Sequence, residues 1–426
     1  MRISYQISDN SIRFYLFCED ADRKRSPQLG SQSEFHYSTT NQSNFPDCHP
    51  DKIALVALLN TLPLAGERIH FGWPISAEFK EATKIISRVS IHSEEGDQEP
   101  AVRNPRGVPC LSFSGGADST AALAVMPEST ESVFMLRTKR RGRTLYDSDA
   151  ALSSCKQLEE MGFALHIIES DFEYLRDPVG FPTDLSVATP AILLSDTRNF
   201  SSIAFGTILE SAYGTSGPSY REYLDSSHYR LWSRMFTAVG LGYSLPVAGV
   251  SEVSSSILCN ALPVGTVHQS CIRGKWGSPC NRCWKCFRKN TLMAALNGDE
   301  ISEEVSEMLW NSKEVRKHLL KNRPIKHEGV ITYSLQRALG GGKQFEELRK
   351  LTRVGSIETD WMERWFSQSS ELIDGDYREF TSDMLSKTLG VMSPEQEETL
   401  KNWSNHDNET REKNRISFES SLRRRN

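Results

Sequence analysis

No apolar run in the 426-residue chain approaches the ~20 residues that a helix needs to cross a bilayer. The opening segment, MRISYQISDNSIRFYLFCED, holds one short apolar run, Phe14 to Phe17, too brief and too interrupted by charge for the core of a signal peptide. These absences predict a cytoplasmic protein with no membrane partner. Basic charge is not in excess either: 50 Lys and Arg stand against 55 Asp and Glu, a net charge of −5. No global field draws in nucleic acid, so a nucleic-acid partner is not expected. Cysteine is clustered, with four of the nine falling between Cys271 and Cys286. Such clustering without a signal peptide argues for metal rather than disulfides.

The length favours two or three domains. Residues 1–91 read as a small N-terminal α+β module, with strand-like IRFYLF, a loop STTNQSNFPDCHPD, and a helix DKIALVALLNTLPL that Asp51 is placed to cap. Residues 92–107, HSEEGDQEPAVRNPRG, lack periodicity and read as a linker. In 108–296 the apolar runs VPCLSF, SVFMLR, FALHII and SSIAFG alternate with helical segments such as Ser148 to Met161 and Ala188 to Arg198. That alternation predicts an α/β fold with a parallel, doubly wound sheet. Residues 297–426 read as a helical C-terminal region ending in a frayed polar tail with Arg423, Arg424 and Arg425.

FSGGADST, Phe113 to Thr120, joins the first of these strands to the helix STAALAVM, which Pro127 stops. A glycine-rich turn opening a helix offers unpaired N–H groups and the positive end of the helix dipole to an anion. Gly115 and Gly116 allow close approach, and Ser114 and Ser119 add hydroxyls. The lysine of the GxxxxGK[ST] nucleotide loop is missing. Asp118 stands in that neighbourhood instead, and a carboxylate beside polyphosphate implies an intervening cation, Mg²⁺. GGGK, Gly340 to Lys343, lacks a preceding strand and reads as a helix-terminating loop. The basic run RTKRRGR, Arg137 to Arg143, is either a solvated loop or a contact for an anion.

Cys271, Cys280, Cys283 and Cys286 form a C-x8-C-x2-C-x2-C array. Four thiolates satisfy tetrahedral Zn²⁺ and leave no open position, so the metal is expected to be structural, with an iron–sulfur cluster as the alternative. Lys285, Arg288 and Lys289 are placed to offset thiolate charge. Cys110 and Cys155 lie outside the array, and Cys110 reads as core.

SGGADS in this setting resembles the SGGxDS signature of the N-type ATP pyrophosphatase (PP-loop) superfamily. The resemblance implies a Rossmann-like sheet of the HUP, or adenine nucleotide α-hydrolase-like, kind. It also implies ATP and Mg²⁺ as cofactors, with ATP cleaved between its α and β phosphates and AMP passed to a substrate oxygen. On that basis Ser114, Gly115, Gly116, Asp118, Ser119 and Thr120 would bind the nucleotide, with Asp118 and Ser119 catalytic. Taken with the cysteine array, the region from Pro109 to Leu296 is similar to the 7-cyano-7-deazaguanine synthase family of queuosine biosynthesis.

The chain departs from that family at three places. FGTILES, with Gly206, Thr207 and Glu210, replaces a GxNxxD-like segment; VATPAI has Thr189 and no arginine; SLPVAGVSEV, with Glu252, replaces a Thr-Pro-Lys element. Gly206 and Glu210 remain nucleotide-binding candidates, with Glu210 either a Mg²⁺ or substrate ligand or a capping carboxylate. Tyr220, Arg221 and Tyr223 form either a substrate lid or an exposed loop. The reading is a synthase-like paralogue, in anti-phage defence or a specialised modification. It would adenylate a small-molecule carboxylate or a partner protein and form an amide or nitrile with ammonia or an amine, with a homodimer as one assembly. Alternatives are an ATP-dependent epimerase of a muramoyl dipeptide, a tRNA thiolase, and a non-catalytic nucleotide-binding subunit.

Overall fold

The computed structural model describes residues 1–39, 47–140 and 146–423. Ten strands form one mixed sheet: β1 (Arg2–Ser8), β2 (Ser11–Phe17), β3 (Glu34–Thr39), β4 (Arg68–Phe71), β5 (Ser90–Ser93), β6 (Val108–Phe113), β7 (Glu131–Arg137), β8 (Leu165–Ser170), β9 (Phe200–Ala204) and β10 (Gly242–Ser244). Their spatial order is β10-β9-β6-β7-β8-β3-β2-β1-β4-β5. From β10 to β8 every neighbouring pair is parallel. The chain runs from β6 outward to β7 and β8, then returns to the other side of β6 for β9. Connections therefore leave β6 and β9 in opposite directions, which makes the carboxyl ends of these two strands the topological switch point of the parallel part of the sheet.

Burial explains why these segments are strands. β9 is buried along its whole length and β6 from Pro109 to Phe113, as continuous apolar runs covered on both faces should be. The helix Ala117–Val125 follows β6 with Gly116 as its N-cap, and it ends at Met126, before Pro127.

The segment read as an N-terminal module extends this same sheet through antiparallel pairing of β3 with β8, Tyr37 facing Ser170. Buried polar links fasten the junction. Tyr37 Oη donates to Thr189 Oγ1 at 2.7 Å and accepts from Asn60 Nδ2 at 2.6 Å. Asp171 takes the His36 N–H at 3.0 Å and Arg140 Nη2 at 2.7 Å. The position without the family's arginine, Thr189, is thus engaged by the N-terminal strands. In the helix Pro50–Thr61 the cap is His49, whose Nδ1 accepts the Asp51 N–H at 3.2 Å. Asp51, expected as that cap, instead accepts the Ser76 N–H at 2.8 Å, because full burial turns it toward the neighbouring loop.

The C-terminal region is helical, as expected. SEEVSEMLWNSKEVRKHLL breaks into Glu303–Asn311 and Lys313–Leu320 at Ser312, whose hydroxyl caps the second helix. Gly340, Gly341 and Gly342 take φ of +72°, +86° and +67° and turn the chain into the helix Gly342–Leu351. The expected frayed tail is instead the helix Glu409–Arg423, held by a buried ion pair between Arg411 and Glu328. Arg423 pairs with Glu419 at 2.8 Å, and Arg424 and Arg425 lie outside the described residues. Among the described residues no helix is long and apolar enough to cross a membrane.

Candidate functional site

The turn after β6 is built by its own small residues. Gly115 has φ +71°, a conformation that disfavours a side chain. Ser114 is exposed, its hydroxyl 2.9 Å from Ser119 Oγ, and Ser119 Oγ also accepts the Ser114 N–H at 3.2 Å. The Ala117 N–H reaches Ser270 Oγ at 3.4 Å. Asp118 and Ser119 belong to the first helical turn, whose N–H groups have no carbonyl partner within the helix. Gly206, just beyond β9, packs directly on this turn: a Cβ there would stand 2.6 Å from Ser119 N. The loops leaving β6 and β9 therefore meet at the carboxyl ends of those strands. Thr120 is fully buried, and its hydroxyl has no hydrogen-bond partner.

Behind the turn lies an acidic group that the sequence reading only partly anticipated. Asp118 Oδ1 accepts the Ser255 hydroxyl at 3.2 Å, from the helix Glu252–Ala261. Both oxygens of Glu210 accept the Glu252 N–H at 3.0 Å, so this carboxyl caps the start of that helix. Burial, and next the Glu252 charge, push Glu210 up to about 8. Burial also acts to raise Glu252, but Arg288 at 3.0 Å and Lys289 at 3.3 Å prevail and hold it well below the ordinary carboxylate range. His327 Nδ1 lies 3.4 Å from the same carboxylate. Burial, then the Arg288 charge, lower His327 to about 4. Two of the three cations assigned to the thiolates, Arg288 and Lys289, are thus committed to Glu252. Sequence spacing could not show this, because Glu252 and Arg288 are 36 residues apart.

The cysteine array closes on itself: one ligand atom each from Cys271, Cys280, Cys283 and Cys286 lie within 4.8 Å of one another. Sulfurs bound tetrahedrally at ~2.3 Å from zinc stand about 3.8 Å apart. Here Cys280 and Cys286 are 3.8 Å apart, and Cys283 and Cys286 3.5 Å. Backbone N–H groups of Cys280 and Cys286 point at Cys271 Sγ and Cys283 Sγ, at 3.3 and 3.4 Å. The four residues could hold a metal ion and are compatible with zinc.

Gln269 ties this knuckle to the glycine turn. Its N–H donates to Gly115 O at 2.9 Å, while its side chain bonds Lys275 O at 2.9 Å and the Gly277 N–H at 2.8 Å. A cavity of about 280 Å³ lies against the knuckle, lined among others by Cys271, Cys286, His268, Lys285 and Lys289, and by Gln269 and Ser270, which also touch the turn. His268 was not picked out from sequence, where nothing distinguishes it from the chain's nine other histidines.

Other candidates lie elsewhere. Tyr223 is buried, hydrogen-bonded at 3.0 Å to Tyr243. Tyr220 stacks on Tyr213, and Arg221 Nη2 binds Ser211 O at 2.9 Å, so the segment is fastened to the core. Of the basic run, Arg137 pairs with Glu173 and Arg140 with Asp171; Arg141 to Arg143 lie outside the described residues. Cys110 and Cys155 are buried, and burial pushes Cys110 well above the usual thiol range and Cys155 up to about 12. Neither is poised as a reactive thiolate.

A family of unknown function (DUF6395) matches residues 231–404. That span takes in the cysteine array, Glu252 and most C-terminal helices, but not the SGGADS turn. No curated protein and no solved structure matches the chain.

Proposed function

We propose that the chain is an ATP-dependent adenylating enzyme of the N-type ATP pyrophosphatase class, with β6 to β10 as its HUP-like nucleotide-binding sheet. Within that class we propose a paralogue of 7-cyano-7-deazaguanine synthase, joining an activated carboxylate to ammonia or an amine. One observation carries this: SGGADS opens a helix at the carboxyl end of β6, and Gly206 from the β9 loop closes on Ser119 at the switch point where the connections diverge. The residues fit phosphate. Ser114 is exposed, and the N–H groups of Asp118 and Ser119 lack helical partners.

In this reading the turn receives the pyrophosphate portion of ATP and orients the α phosphorus for in-line attack by a carboxylate oxygen. Asp118, half-buried and steadied by Ser255, would hold Mg²⁺, which supplies charge neutralisation between carboxylate and phosphates. The four cysteines would hold zinc structurally and keep Gln269 against the turn. The test is incubation of the zinc-loaded chain with ATP, Mg²⁺ and candidate deazapurine carboxylic acids. AMP and pyrophosphate are expected, and ADP with phosphate overturns the reading. Asp118→Ala should lower pyrophosphate release by at least about a hundredfold without changing zinc content.

A further inference from the structure

The cavity against the knuckle has a chemistry of its own. His268 Nδ1 lies 2.5 Å from the carbonyl oxygen of Gly265, which can only accept, so the proton sits on Nδ1 and Nε2 carries a bare lone pair. Burial lowers this imidazole below its ordinary value; the Gly265 hydrogen bond and Asp118 oppose that, while Lys289 and Lys285 add to it. The ring is therefore neutral near pH 7. Lys289 Nζ reaches Glu252 Oε1 at 3.3 Å and Ser256 Oγ at 3.4 Å. An ammonium has three donors, so one remains for a ligand. Among the described residues lining the cavity, Lys285 and Lys289 are present and there is no carboxylate; the anionic members are Cys271 and Cys286, whose charge a bound metal ion would offset. One water needs about 10–15 Å³ of such space. Ammonia is of similar size, so a cavity of about 280 Å³ is far larger than ammonia requires.

We propose that this cavity is the acceptor site of the reaction and takes a small primary amine carrying an acidic group, the amino-acid class, with Lys289 binding the acid and His268 Nε2 facing the amine. The inference rests on the adenylation reading for its chemistry. The neutral amine nitrogen attacks the acyl carbon of the adenylate and the C–N bond forms. The C–O bond to AMP breaks, AMP leaves with the electron pair, and the amine proton passes to His268 Nε2.

Glycine, the smallest molecule with both groups, is the probe. The zinc-loaded full chain, labelled with ¹⁵N in its histidine rings, is titrated with glycine, methylamine, acetate and ammonium chloride at constant ionic strength. His268→Gln identifies the resonance. Glycine is expected to shift the His268 Nε2 signal saturably, with a dissociation constant at least tenfold below those of methylamine and acetate, and Lys289→Met should erase that advantage. No saturable shift in the wild-type chain, or glycine no better than methylamine or ammonium, overturns the proposal. Glycine binding without pyrophosphate release from ATP would sink adenylation and leave the amine site standing. Pyrophosphate release without glycine binding would sink the amine site alone.

Discussion

Gly206→Ala tests the geometry on which the phosphate turn depends. The added Cβ would stand 2.6 Å from Ser119 N, 2.7 Å from Ser119 Cα and 2.9 Å from Asp118 C. Ordinary contact begins near 3.4 Å, and all three neighbours are backbone, so no side chain can swing aside. Either the first helical turn or the β9 loop must retreat by roughly 0.5–0.8 Å, an overpacking that costs about 1–3 kcal/mol. A shift of that size moves the N–H groups that would face the phosphates, and displacements near 1 Å cost up to about a hundredfold in rate. Urea denaturation followed by circular dichroism measures the first effect, and pyrophosphate release from Mg·ATP the second. Gly375→Ala is the control: a Cβ there meets nothing within 4 Å at ordinary φ, so its stability should stay level or rise by about 0.4–1 kcal/mol. Gly206→Ala unfolding with the wild type and releasing pyrophosphate at the wild-type rate would refute the argument.

Three further outcomes follow from the same region. Cys283→Ser, or strong chelation, should remove one zinc per chain and weaken Mg·ATP binding, because Gln269 couples the knuckle to Gly115; unchanged affinity in metal-free protein, by calorimetry, would break that link. Glu210 binds its proton more tightly folded than unfolded, so stability falls as pH rises from the ordinary carboxyl value near 4.5 to about 8. Glu210→Gln should remove that slope, with an advantage over wild type that grows to the order of a few kcal/mol by pH 8; parallel melting curves from pH 5 to 8.5 would contradict it. Glu252→Ala leaves Arg288 and Lys289 without their buried counter-charge and should cost about 3–5 kcal/mol in urea titrations, a loss below about 1 kcal/mol being inconsistent with the network.

What could be read from sequence was whatever is encoded by neighbouring residues. VPCLSF next to SGGADS announces strand, turn and helix within a dozen positions, and three gaps in the cysteine array suffice to bring four sulfurs together. Pairings between distant residues were not legible. In the sequence Glu252 stands only where the family has a Thr-Pro-Lys element, and nothing there shows that Arg288, Lys289 and His327 converge on it from two other helical segments. The tail read as frayed because Arg411 and Arg415 are charged; their burial depends on Glu328 and on Asp407, one of which lies over eighty residues away. Asp51 had the right residue type for a cap, and a tertiary contact with Ser76 took it elsewhere. The acidic group behind the turn, like the junction of β3 with β8, is set by tertiary packing that local patterning does not encode.

That junction has a consequence for how the chain is made. His36 and the Asp171 that receives its N–H are 135 residues apart, so β3 leaves the ribosome long before β8 exists. Throughout that interval the N-terminal strands carry an open edge with unpaired backbone groups, a template for pairing with another nascent copy. The pairing that covers this edge in the finished fold therefore comes from a strand made well after it.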